Sequence, residues 1–286
     1  MSSAAAVFAP GATALITGGA SGIGLAIAKL CRSKGMKLLL VDRNAEALEK
    51  AKAEVGSSSS SSSDVATSVL DVSKAEGWAA LKDQAAKTFG SVELLVLNAA
   101  VSGGRGTWGD GDYFRNVLET NLFGVINGIN AFLPVVQEAA KSRPTSIVIT
   151  GSKQGITNPP GNPAYNASKS AVKTLAEHLS WDLRDTKTSV HLLVPGWTFT
   201  GMAREHGIKE KPPGAWAPEQ VAEYLYQKME QDKFYVICPD NETTEETDKK
   251  RMLWTVGDIV KERPPLTRWR PEWKEEAAET IAKTQV

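Results

Sequence analysis

Tyr165 and Lys169 stand four positions apart in the stretch "GNPAYNASKSAVKTL", which begins at Gly161. After Pro163 the run is rich in small residues and carries Val172, Leu175 and Leu179 at apolar spacing, which predicts a helix. Four positions is about one helical turn, so the phenol and the ammonium lie one above the other on one face. Such a pair is either an ordinary solvated pair or a proton-transfer device. A phenol with a pKa of about 10 is a poor base at neutral pH, and a nearby cation favours its ionised form. Ser152 lies thirteen residues upstream, at the end of the apolar run in "IVITGSKQG". A strand-end serine is commonly a turn residue, but sites of parallel sheets also gather at the carboxyl ends of strands.

A second cluster lies far upstream. "ITGGASGIGLAIA" follows an apolar run at 12–17 and opens an amphipathic pattern from about Gly22 to Ser33. Gly18, Gly22 and Gly24 fall in a TGxxxGxG spacing, with Ser21 and Ile23 between them. Glycines so placed allow a tight turn, a close approach of backbone to a pyrophosphate, and close packing of helix on sheet. The helix N-terminus then offers free N–H groups and a positive dipole end. The next apolar run, "KLLLVDR", reaches Asp42, eighteen positions beyond Gly24. An acidic group there accepts from a ribose 2′-OH and repels a 2′-phosphate, which makes NAD the first choice and NADP the second. Arg43 has the opposite capacity, to hold a phosphate. The plainer reading of Asp42 is a strand-end or helix N-cap residue.

The elements that must position these groups alternate along the chain. Strand patterns at "ATALIT", "KLLLVDR", "ATSVLDV", "VELLVLNA", "TSIVITG", "SVHLLVPG" and "KFYVICP" are separated by helical patterns, among them 74–89, a long one at 112–140, and the helix carrying Tyr165. Near-continuous apolar strands alternating with helices imply α/β architecture: one doubly wound parallel sheet of about seven strands, covered on both faces in the Rossmann manner. One domain over 1–240 is expected, with 241–286 as an extension. Seven consecutive serines at 57–63 read as a surface loop between a helix and a strand. The extension is charged yet contains Trp254, Trp269 and Trp273, too aromatic for a disordered tail. Its packing is expected on the domain or on a neighbouring subunit.

Composition narrows the function classes. Lys plus Arg equals Asp plus Glu at 33 each, so no net field points to nucleic acid or anionic lipid. Cys31 and Cys238 lie in apolar stretches and read as small buried hydrophobes of a reducing compartment. Neither they nor His178, His191 and His206 show ligand spacing, so no metal is expected. The N-terminal "MSSAAAVFAPG" lacks a basic n-region, and no stretch is expected to reach membrane-spanning length, which leaves a cytoplasmic protein as the default.

Seven motifs together resemble the short-chain dehydrogenases/reductases. They are "TGGASGIG", "LDV" at 70–72, "LNAA" at 97–100, Asn121 in "ETNLFG", Ser152 in "TGSKQG", "YNASK" at 165–169 and "PGWTFT" at 195–200. They stand in the family's order across roughly 10–240. The family's common "NNAG" is "LNAA" here, and its glycine-rich ending after the last strand is replaced by "CPDNETTEE". The resemblance implies an NAD(P)-dependent oxidoreductase interconverting a secondary alcohol and a ketone. In it Tyr165 is the general acid/base, and Lys169 lowers the phenol's pKa and holds the cofactor ribose. Ser152 polarises the substrate oxygen, and Asn121 orders a water in a proton relay. It also implies cofactor contacts from Gly18, Ser21, Gly22, Ile23, Gly24, Asp42 and Arg43, and from Asp71 and Val72 at the adenine. Asn98 and Ala99 lie along the cofactor, Pro195 and Gly196 follow, and Thr198 meets the carboxamide.

A phenol moved down by about three units needs roughly 4 kcal/mol of differential interaction, within reach of two nearby cations in a partly dry site. Two other readings stay open: a nucleotide-binding protein without redox turnover, and a dehydratase or epimerase on the same fold. The segment 197–217 lies where the family carries a substrate lid, with Gly201, Gly207 and Gly214 as hinges and His206 as a surface or substrate-facing residue. Lys153, next to Ser152, is either solvated or a lure for an anionic substrate. Trp108, Trp197, Phe199 and the tail tryptophans Trp254, Trp269 and Trp273 are candidates for the pocket mouth. The resemblance further implies a small-molecule partner and a homodimer or homotetramer built on the helices at about 112–140 and 164–185.

Overall fold

Seven strands form where the apolar runs stand: β1 (Thr13–Thr17), β2 (Lys37–Asp42), β3 (Val65–Val69), β4 (Leu94–Leu97), β5 (Thr145–Thr150), β6 (Thr188–Val194) and β7 (Tyr235–Ile237). The computed structural model describes residues 6–56, 62–103, 108–202 and 207–286. Every pairing is parallel, in the order β3-β2-β1-β4-β5-β6-β7. The winding reverses between β1 and β4, which opens a crevice at their carboxyl ends.

Helices α1 (Gly22–Ser33), α2 (Ala45–Gly56), α3 (Gly77–Phe89), α4 (Gly111–Leu118), α5 (Gly124–Ala140), α6 (Pro163–Asp182) and α7 (Pro218–Glu230) connect the strands, with one helical turn at Gln154–Thr157 after β5. Side chains alternate across a strand, so β2 sends Leu38 and Leu40 to one face and Leu39 and Val41 to the other. The first pair joins Ile27, Leu225 and Met229 in one core; the second joins Trp78, Phe132 and Val172 in the other. Cys31 and Cys238 are both buried thiols in the first core.

The long helix expected over 112–140 is present without a gap, but it is not α-helical throughout. Glu119–Phe123 forms a π turn in which the Gly124 N–H reaches back five residues to the Glu119 carbonyl. By length and composition the run Gly111–Ala140 is long and apolar enough to cross a membrane, which corrects the expectation that no stretch reaches that length. A core helix passes the same test, and α5 places Val125, Phe132 and Val136 in the second core.

After β7 the chain makes α8 (Glu245–Val260), two short turns and α9 (Lys274–Lys283). A buried hub organises them. The Thr267 hydroxyl donates to Asp258 Oδ1 at 2.5 Å and its N–H to Oδ2 at 3.1 Å, while Arg263 pairs with the same carboxylate at 2.9 Å. The Trp254 indole donates to Thr267 at 2.9 Å, and the Arg263 guanidinium lies 3.8 Å from the Trp254 ring centroid. Trp254 therefore packs inside the extension itself. The extension is joined to α7 through Lys228–Glu245 at 2.8 Å and to the loop after β5 through Lys153–Asp248 at 2.5 Å.

Candidate active site

The crevice holds a cavity of about 420 Å³ that begins at the glycine turn. Gly18 and Gly22 take positive φ values of 64° and 52°, a backbone that side-chained residues rarely adopt. With Ser21 and Ile23 they line the cavity. The Ser21 side chain does not cap α1, and no acidic residue stands in its first turn, so the helix-start N–H groups and dipole stay available to an anion. Gly24 does not line the cavity. A Cβ there would sit 2.1 Å from the Gly18 carbonyl oxygen, so this glycine lets α1 pack on the turn.

Asp42 closes one end. Its Oδ2 accepts the Ala20 N–H at 3.3 Å and its Oδ1 the Asn44 N–H at 3.1 Å. The cap of α2 is Asn44, whose Oδ1 accepts the Ala47 N–H at 3.0 Å, so Asp42 is not spent on capping. One lone pair per carboxylate oxygen remains for a diol. Arg43 lines the cavity beside it. Asp71 and Val72 line the neighbouring wall. Burial pushes the Asp71 carboxyl up, but hydrogen bonds from Ser73 and the charges of Lys74 and Arg43 outweigh it and hold the group below its ordinary value.

Asn98 and Ala99 form the floor, and Asn98 also ties three strand ends together. Its N–H donates to the Thr17 hydroxyl at 2.9 Å, its Nδ2 to the Thr17 carbonyl at 3.2 Å, and its Oδ1 accepts from Thr150 at 3.2 Å. Pro195, Gly196 and Thr198 follow β6 and close the far end.

The catalytic candidates meet there. Ser152 stands two positions past the end of β5. Asn162 caps α6, its Oδ1 accepting the Tyr165 N–H at 3.3 Å, and Pro163 opens the helix, which fixes where the tyrosine points. Gly155 lets the turn after Ser152 lie on this helix, since a Cβ there would be 2.6 Å from the Lys169 backbone carbon. Tyr165 is half-buried and hydrogen-bonded to Ser152. Lys169 is 2% exposed, and its Nζ donates to the Thr150 carbonyl at 2.8 Å.

Burial pushes the Lys169 ammonium down to about 8. Burial likewise raises the Tyr165 phenol, and the Ser152 hydrogen bond offsets only part of that. The protein's own groups therefore do not lower the phenol as expected. Burial is the larger effect, and the Lys169 Nζ hydrogen bond goes to the Thr150 carbonyl.

Asn121 supports the site from behind. It is fully buried in the π turn and does not line the cavity. Its Nδ2 donates to the Val101 carbonyl at 2.9 Å and to Ser168 Oγ at 3.1 Å, and its Oδ1 accepts the Val101 N–H at 2.8 Å. The side chain thus fastens the strand-β4 loop to α6, one residue before Lys169.

A second cavity, also of about 420 Å³, lies on the other side of Ser152 and Tyr165, and both residues line both spaces. Trp197, Met202 and Ile208 give it apolar walls. Trp108 does not reach it; the ring is 80% exposed and lies 5.2 Å from Phe114. Neither Phe199 nor the tail tryptophans are among its lining residues. His206 lies outside the described residues. Lys153 is neither solvated nor a free cation, because its Nζ is 3.2 Å from Asp240 and 2.5 Å from Asp248.

Sequence reasoning missed the supporting groups Thr17, Thr150 and Ser168, and the walls Thr200 and Met202. Strand-end threonines carry no signal until the neighbouring strand is known.

The family model described as short chain dehydrogenase matches residues 12–211. A 1-deoxy-11-beta-hydroxypentalenate dehydrogenase of Streptomyces exfoliatus is 28% identical over 264 residues, 90% of this chain and 93% of its own. An NADP-dependent (R)-specific alcohol dehydrogenase of Lentilactobacillus kefiri is 33% identical over 194 residues, 66% of this chain and 74% of its own. A short-chain dehydrogenase/reductase from Burkholderia phymatum, solved in complex with NAD, superposes with a TM-score of 0.80 at 28% identity, covering 90% of this chain and 97% of that one. With the sheet order, the glycine turn and the Ser–Tyr–Lys cluster in place, the match over residues 12–211 means that the chain belongs to the short-chain dehydrogenase family.

Proposed function

We propose that this oxidoreductase interconverts a secondary alcohol and a ketone, with Tyr165 as general acid/base and NAD as cofactor, NADP being second. The observation that carries the reading is the hydrogen-bonded Ser152–Tyr165 pair on the wall shared by the nucleotide crevice and the second cavity. A substrate oxygen placed there meets two hydroxyls, while its carbon faces the crevice.

When bound, the nicotinamide supplies or accepts the hydride. The residues that fit the cofactor are those of the uncapped α1 start for the pyrophosphate, Asp42 for the ribose diol, and residues 195–198 for the nicotinamide end. In the reducing direction the Tyr165 phenol donates its proton to the alkoxide oxygen; in the oxidising direction the phenolate takes the alcohol proton. Ser152 Oγ donates to the same oxygen and orients it. Lys169, at about 8, is close enough to neutrality to pass a proton on. Burial holds the Tyr165 phenol up, so the Ser152 hydrogen bond would need the added positive charge that an oxidised nicotinamide would supply if held by residues 195–198.

The NAD complex of the Burkholderia phymatum protein and the NADP dependence of the Lentilactobacillus kefiri enzyme support both cofactors as candidates, and Asp42 decides the order. The test is a panel of secondary alcohols and ketones followed by nicotinamide absorbance with each cofactor. Tyr165→Phe is expected to lose turnover while keeping cofactor affinity. An active Tyr165→Phe enzyme sinks the mechanism.

A further inference from the structure

Lys153 is the one charged side chain among the described residues lining the second cavity. It follows Ser152 directly, and its ammonium is not offered to the cavity as a free charge. Asp240, just past β7, approaches it at 3.2 Å, and Asp248, on α8, at 2.5 Å. The three side chains are 14%, 10% and 3% exposed. Arg251 stands 4.0 Å from the other oxygen of Asp248, so the cluster is close to neutral as a unit.

The cluster also touches the loop that follows β6. The Lys153 N–H donates to the Pro195 carbonyl at 3.3 Å, and Asp240 Oδ2 accepts the Trp197 N–H at 3.4 Å. Gly196 passes directly over it, because a Cβ there would be 2.6 Å from the Lys153 Nζ and 2.8 Å from Asp240 Oδ2. Of the polar lining groups, Asn162 is occupied, donating to the Ser102 carbonyl at 3.0 Å and accepting from Tyr113 and from the Tyr165 N–H. What the cavity offers a ligand is uncharged: the Ser152 and Tyr165 hydroxyls at one end, the neutral polar side chains of Gln154, Thr198 and Thr200, and the apolar surfaces of Trp197, Met202 and Ile208.

We propose that Lys153, Asp240 and Asp248 form a charge-compensated latch that makes this cavity select uncharged carbonyl and alcohol substrates, with the C-terminal extension setting that selectivity through Asp248. The proposal rests on the second cavity being the substrate's, as the proposed function has it. A substrate carboxylate entering the cavity meets an ammonium already shared by two carboxylates, and forfeits its hydration for no net attraction. Removing one aspartate charge leaves the local balance more positive by one, close to the ligand and poorly screened.

The probes are 4-methylacetophenone and its anionic analogue 4-acetylbenzoate, titrated calorimetrically into the NADH-loaded protein, with turnover followed in parallel by absorbance. The wild type is expected to bind the neutral ketone at least tenfold more tightly. Asp248→Asn, and separately Asp240→Asn, should shrink that ratio by about tenfold. Adding Lys153→Met to Asp248→Asn should restore the preference for the neutral ketone, since the uncovered cation is gone.

An unchanged ratio in both aspartate variants overturns the proposal, and so does a wild type that favours the anion or binds neither ketone. Lowered thermal stability with the ratio unchanged marks the cluster as purely structural and overturns it as well. Shifted ratios without turnover sink the hydride-transfer reading and leave the latch standing. Turnover with unshifted ratios does the reverse.

Discussion

Replacing Lys169 by methionine should make the protein more stable at neutral pH and flatten part of its pH dependence. The side chain is 2% exposed and has one acceptor, the Thr150 carbonyl at 2.8 Å, so its ammonium is poorly solvated and is pushed from 10.5 down to about 8. That gap corresponds to about 3 kcal/mol against the folded state wherever the lysine is charged in both states.

The folded value lies below the unfolded one, so between about 8 and 10.5 the unfolded chain still holds a proton that the folded chain has released. Stability attributable to Lys169 is therefore lowest below pH 8 and rises with pH through that window. From pH 7 to pH 10 the gain is about 2.5 kcal/mol by linkage. Methionine has similar length and no charge, and it costs the Thr150 carbonyl its partner, about 1 kcal/mol. Lys169→Met should thus be more stable than wild type by about 2 kcal/mol at pH 7, and the advantage should vanish by pH 10.

Urea unfolding of both proteins at equal concentration, in steps from pH 7 to 10, measures the difference directly. Burial raises Tyr165, Cys31 and Cys238, groups that withdraw stability as pH climbs, but they do so in both proteins and cancel in the difference. A difference that stays constant within about 0.5 kcal/mol across the range refutes the claim that burial, rather than a hidden partner, sets this lysine's proton affinity.

Three further outcomes are expected. Asp42→Ala should weaken NAD binding by about tenfold and narrow the preference over NADP, read by fluorescence titration of both reduced cofactors; unchanged NAD affinity refutes the ribose role. Gly24→Ala should destabilise the protein by about 1–3 kcal/mol and weaken cofactor binding, because its Cβ would fall 2.1 Å from the Gly18 carbonyl, and a neutral result in thermal melting refutes the packing role. Asp258→Ala strips the buried partner from Arg263, whose side chain is 7% exposed, at a cost of about 3–5 kcal/mol; protease cleavage within 245–283 should appear first, and uniform resistance refutes the hub.

Much of this site was legible because period and spacing are local properties. The i,i+4 relation of Tyr165 and Lys169, the glycines of the first turn and the acidic end of β2 each follow from neighbours in the chain. Seven apolar runs alternating with amphipathic ones are enough to imply a parallel sheet covered on both faces, and the strands formed where those runs stand.

What depends on desolvation and on long-range partners was not legible. The sequence put an ammonium beside a phenol, but only the fold turns that ammonium to Thr150, nineteen residues away, and buries it enough to lower it while the phenol rises. Likewise a strand-end "SKQG" reads as a serine with a solvated lysine, and only the return of the chain after β7 covers that lysine with Asp240 and Asp248, 87 and 95 positions on. Asn121 was singled out by its motif, and only the fold shows that the π turn aims its amide at Val101 and Ser168. Sequence fixes which groups a segment carries and which face of its element they share. Where their charges and hydrogen bonds are spent is decided by segments far away in the chain, because electrostatic energy depends on distance and burial in space.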